Sequence, residues 1–130
     1  METIKVAVLG AHLTGQPLNH QLTSRSATLV KTTRTAPVYK FYALANTTPA
    51  KPGLIRVEGE GGYGIEVEVW EMAVTNFGSF VGEIPAPLGI GTLELEDGEL
   101  VKGFICEGFA IAGAKDISHL GGWRNYINSQ

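Results

Sequence analysis

Cysteine occurs once in the 130 residues, as Cys106, which excludes an intrachain disulfide and a multi-cysteine zinc site. A single thiol fits a reducing compartment. Basic charge is also scarce: ten Lys and Arg face thirteen Asp and Glu, for a formal net charge of -3. Lys31, Arg34, Lys40, Lys51 and Arg56 are scattered, so no stripe for a polyanion forms and nucleic acid is not an expected partner. Long apolar runs are missing too. The opening "METIKVAVLG" is too short for a signal peptide or a membrane span, and Glu2 sits beside its start. The expectation is a cytoplasmic protein that does not meet a membrane. No His-x-x-x-His pair or carboxylate spacing marks a metal, and no cofactor is expected.

Several catalytic signatures fail at identifiable positions. Gly10 and Gly15 have the spacing of a phosphate loop, but Gln16-Pro17 stands where Lys-Ser/Thr should follow. The dinucleotide fingerprint fails because position 12 is His and not Gly. No serine lies in a nucleophile-elbow pattern, and the Ser-Ser-Lys amidase signature is absent.

What is present reads as one globular domain over residues 1–130, with 44% hydrophobic and 18% charged residues. Seventeen glycines and six prolines cut the chain into short elements. "TIKVAVL" (3–9) reads as a strand buried on both faces. "PLNHQLTSRS" (17–26) can start a short helix at Pro17. "ATLVKTTRTA" and "VYKFYAL" have strand composition and are separated by Pro37, while "TTPAKPG" reads as a loop before the strand "GLIRVEG". In "GIEVEVWEM" (64–72), Ile65, Val67 and Val69 share one face; Glu66, Glu68 and Trp70 share the other, read first as solvated. "VTNFGSFVGEI" places Phe77, Phe80, Val81 and Ile84 at helical spacing. Asp97-Gly98 predicts a type I′ hairpin turn. The tail "KDISHLGGWRNYINSQ" is expected to hold one short helix broken at Gly121-Gly122. Many short strands with few helices predict an α+β domain built on a small mixed β-barrel.

Small residues leave backbone N–H groups free to converge on an anion, and Gly10 to Gly15 is the segment best suited to that. His12 lies inside it with the ionisation suited to acid–base work near neutrality, although a lone loop histidine taken alone is more often surface. Glu66 and Glu68 could face a cavity beside Trp70, where a carboxyl pKa rises. Arg34 could clamp a substrate carboxylate. Each has a plainer reading, as a solvated carboxylate or a surface arginine, and Cys106 reads as a small buried hydrophobe.

In order along the chain stand "GAHLTGQPLN", "TRTAPVYKFYAL", "KPGLIRV", "IEVEVWE", "IPAPLGIGTLELEDG", "VKGFICE" and "DISHLGGWRNYI". Together they closely resemble the C-terminal domain of allophanate hydrolase, over almost the whole chain. The resemblance implies a γ-glutamyl cyclotransferase-like fold and a part in urea and allophanate breakdown. In that family the amidase step leaves N-carboxycarbamate, which the C-terminal domain is thought to decarboxylate. It implies catalytic roles for His12, as proton donor, and Glu83, which lies near the place of the cyclotransferase glutamate. It implies substrate binding by Gly10, Ala11, Leu13, Asn19, Arg34 and Glu68. The expected partners are a small anionic substrate, a separate amidase and a second copy in a homodimer. Two alternatives stand beside this: a non-catalytic oligomerisation or amidase-docking module, and a γ-glutamyl cyclotransferase-like enzyme. Against the latter, Leu9 replaces the tyrosine of that family's opening motif, and "SFVGEI" lacks its Leu-Asp pair.

Overall fold

The strand Thr3–Val8 (β1) carries an apolar run that no amphipathic position could satisfy, and Val6, Ala7 and Val8 are fully buried. It lies in the middle of a sheet in a computed structural model describing residues 1–130. β1 pairs antiparallel with Glu66–Ala73 and parallel with Leu100–Cys106. Along the chain the strands are Thr28–Arg34 (β2), Tyr39–Ala43 (β3), Pro52–Arg56 (β4), Glu66–Ala73 (β5), Leu88–Glu94 (β6), Leu100–Cys106 (β7) and Lys115–Asp116 (β8). They form a five-stranded sheet in the order β2-β5-β1-β7-β6 and a three-stranded sheet in the order β4-β3-β8.

This is a mixed α+β architecture, but the expected barrel does not close. The free edges β2 and β6 meet only at one corner, just beyond their ends, through the bridge between Thr35 and Leu95. There Ala36 N–H donates to the Glu94 carbonyl and Glu96 N–H to that of Arg34, both at 2.9 Å. Past Pro37 the chain departs into the second sheet, so the edges never zip together.

The helices are short: His20–Thr23 (α1), Val74–Gly82 (α2) and Trp123–Asn128 (α3). α1 begins at His20, capped by Asn19 after a turn-rich segment, and not at Pro17. α2 buries Phe80 completely against the sheet and leaves Val81 exposed. The tail forms a 3-10 turn at Ser118–Leu120 and then α3, divided by Gly121 at φ 76°. The β6–β7 hairpin forms as expected, with a different turn. Only Gly98 takes positive φ, at 90°. Gly98 N–H bonds the Leu95 carbonyl and Leu95 N–H that of Glu99. That pattern is a type I turn closed by a glycine bulge, not type I′.

Candidate functional site

The site grows from the exit of β1. Gly10 is buried, and a Cβ there would stand 2.3 Å from Pro52 Cδ. Glycine is therefore required by the close crossing of β4, and its φ is ordinary. The segment that follows is fastened to itself: Leu18 N–H donates to the Ala11 carbonyl at 2.8 Å, and Asn19 Nδ2 to the His12 carbonyl at 2.9 Å. Leu9, Gly10, Ala11 and His12 are all buried, yet their four N–H groups donate to no acceptor within the protein. Successive unpartnered amides of this kind are uncommon in a protein interior.

His12 is 6% exposed and its ring is packed between aromatics, with Phe104 at 4.8 Å and Phe80 at 5.4 Å between centroids. Its Nε2 lies 2.7 Å from Gln21 Oε1 on α1. An amide oxygen accepts, so Nε2 is assigned as the protonated nitrogen and Nδ1 as the basic one. Nδ1 has no protein partner and is not sealed from solvent. Burial pushes the ring's pKa down; the Gln21 bond opposes this, and the Lys51 charge reinforces it. The lowered pKa favours the neutral imidazole at pH 7.

Two adjoining spaces open here. The inner crevice is lined by Gly10, Ala11, His12, Lys51, Leu88 and Phe104 among others, and its free volume of about 10 Å³ suits one water-sized group. The outer cleft, about 160 Å³, lies between the loops that carry Asn46–Thr48 and Pro85–Pro87. Lys51 and Leu88 belong to both.

The structure thus brings together Gly10, Ala11 and His12, with Asn19 behind them as a loop fastener. Leu13 is a core residue, 1% exposed. The other expected site residues lie elsewhere. Glu83 closes α2 at the surface, where Arg25 holds its carboxylate at 2.6 Å. Arg34 donates to the carbonyls of Gly64 and Gly121. Glu68 is not on a solvated face: it is 4% exposed. Its carboxylate accepts from Thr14 N–H at 2.9 Å, Thr14 Oγ1 at 3.0 Å, Trp70 Nε1 at 3.1 Å and Arg124 Nη2 at 3.0 Å. Burial opposes its ionisation, but these donors outweigh that and hold the pKa below the usual carboxylate range. None of these three carboxylate or guanidinium groups lines the crevice or the cleft.

Lys51 escaped the sequence reading. In "TTPAKPG" it looks like an exposed loop lysine, because nothing local signals that two proline loops will fold over it. No group of three or more His, Cys, Asp or Glu side chains is placed to hold a metal ion.

Comparison with known proteins places this arrangement in a family. Residues 4–128 match the model of the allophanate hydrolase C-terminal domain. The urea amidolyase of Lachancea kluyveri is 48% identical over 130 residues, which cover 98% of this chain and 7% of that protein. The chain therefore corresponds to a small part of that relative. The Kluyveromyces lactis allophanate hydrolase superposes with a TM-score of 0.96 at 45% identity, over 99% of this chain and 22% of that one. A uropathogenic E. coli-specific protein superposes at 0.91 with 33% identity and 98% coverage of both chains, so the same domain also occurs at this length. A γ-glutamyl cyclotransferase, at TM-score 0.60 and 12% identity, shares the fold alone. The chain belongs to the allophanate hydrolase C-terminal domain family.

Proposed function

We propose that this protein removes carbon dioxide from N-carboxycarbamate, the step its family resemblance implies, with His12 as the proton donor. One observation carries the reading: a buried histidine with an open Nδ1 stands beside four buried amides that no protein acceptor satisfies. Amides left free of protein acceptors can complement a carboxylate whose charge must be held without water.

The chemistry balances with one proton. The carbon–nitrogen bond to one carboxylate breaks, carbon dioxide departs, and the electron pair stays on nitrogen. His12 Nδ1 delivers a proton there, and the product is carbamate. A neutral resting ring is no obstacle, because a bound dianion favours the imidazolium and draws the proton on. A separate amidase supplies the substrate in this reading. A cyclotransferase would instead need a carboxylate at the loop, and Glu83 is bound to Arg25 outside it.

The test couples an allophanate hydrolase amidase domain to this protein while carbon dioxide release is followed. The wild type accelerates release beyond the spontaneous rate. His12→Gln, which keeps ring-sized volume and a hydrogen-bonding group, loses that acceleration by about 10²–10⁴-fold. Equal acceleration by wild type and variant removes His12 from the mechanism. No acceleration by folded wild type removes the decarboxylase reading.

A further inference from the structure

Lys51 is 6% exposed, and no carboxylate lies within ion-pairing distance of it. Its Nζ donates to the Pro49 carbonyl at 3.2 Å and, at the limit of bonding, to the Thr48 carbonyl at 3.5 Å. The other lysines without a carboxylate, Lys102 and Lys115, are exposed and need none. A buried ammonium facing only carbonyl dipoles is costly, and it lowers its cost by meeting an anion. Burial accordingly pulls the Lys51 pKa below that of a free lysine.

Its position matters as much as its charge. Lys51 lines both the inner crevice, beside Gly10, Ala11 and His12, and the outer cleft, beside Asn46, Thr47 and Thr48. Donors are therefore available in both spaces, with Lys51 shared between them. A ligand with one carboxylate satisfies one set and leaves the other unpaired.

We propose that Lys51 holds a second carboxylate at the mouth of the site, making the protein selective for small dicarboxylates over monocarboxylates. This rests on the proposed site, whose inner crevice takes one oxygen of the first carboxylate. It deepens that reading by naming the residue that sets substrate class. The charge of Lys51 also faces His12 across the crevice, so a carboxylate seated on the lysine would relieve the repulsion that disfavours the imidazolium.

The test uses malonate, which carries two carboxylates, and malonamate, in which one becomes a neutral amide. Both are titrated calorimetrically into wild type, Lys51→Met and His12→Gln at pH 7. Wild type binds malonate more tightly than malonamate by about tenfold or more, the worth of a hydrogen bond to a charged group. Lys51→Met keeps the buried stem and loses the charge, and its malonate affinity falls to that for malonamate. Unchanged malonate affinity in Lys51→Met, or no preference in wild type, overturns the proposal. If Lys51→Met does not fold, reductive methylation of wild type decides: malonate protects Lys51, read by peptide mass, and absence of protection overturns it. The two readings fail separately. Undiminished carbon dioxide release in His12→Gln with intact Lys51-dependent selectivity rejects only the proton-donor role.

Discussion

His12 sits between Phe80 and Phe104 with its ring withdrawn from water, so protonation and folding compete. Its pKa is lower in the folded chain than in the unfolded one, where it is about 6.5. Below that value the unfolded state takes up a proton that the native state refuses, and stability falls as pH drops. The loss stops once pH passes the native pKa, and its steepest slope is about 1.4 kcal/mol per pH unit. His12→Gln has no such group. Urea melts at pH 7.5, 6.5 and 5.5 should show wild type losing stability faster than the variant across that interval. Parallel losses would mean that the ring is no harder to protonate when folded. A bound dianion reverses the sign locally, because it stabilises the imidazolium, so malonate should flatten the wild-type dependence. The resemblance in "GAHL" made His12 legible in the sequence as a candidate. Lys51 was not, because its burial depends on loops at Asn46–Pro49 and Pro85–Pro87 that are remote in sequence.

Among elements, the loop that follows β1 depends on Glu68 in β5. The alternation of "GIEVEVWEM" correctly separated Val67 and Val69 from Glu68 and Trp70. It could not show that the second face is covered as well. That cover comes from the Thr14 turn and from Arg124 in α3, more than fifty residues away on either side. One carboxylate thus joins the site loop, the sheet and the C-terminal helix. Glu68→Gln keeps the shape and an acceptor for Thr14 and Trp70, but it loses the charge that Arg124 pairs with. The expected cost is about 1.5–3 kcal/mol, the range for hydrogen bonds involving a charge. Because Arg124 Nη2 also donates to the Thr14 carbonyl, the loosening should reach the loop. Hydrogen exchange at Thr14 should accelerate with that at α3, whereas α2 should hold its wild-type rates after correction for global stability. A uniform acceleration across all helices would argue that Glu68 supports the whole core and not this junction.

At the scale of the molecule, two sheets share one core without forming a barrel. Composition and turn spacing showed that short strands dominate, but strand count alone does not decide closure. Closure depends on whether the free edges meet along their length, and β2 and β6 meet only at Thr35 and Leu95. Pro37 lies just past that meeting point. Thr35 is the residue on which the corner turns. It is 1% exposed; its Oγ1 donates to the Ala36 carbonyl at 2.9 Å and accepts from Ile65 N–H at 3.0 Å, where the chain enters β5. Thr35→Val preserves shape and removes both bonds, leaving a buried N–H and weakening a buried carbonyl. The expected destabilisation is about 1–3 kcal/mol, more than a surface Thr→Val change would bring. Thr32→Val, at an exposed position on β2, is the control. If the corner is what couples the sheets, the Thr35 variant should also unfold less cooperatively. Its denaturant slope would then fall below that of Thr32→Val, and fluorescence from Trp70 in β5 and from Trp123 beside Phe41 of β3 would report separate midpoints. Coincident midpoints with an unchanged slope would show that the shared core, and not the corner, makes the two sheets fold as one.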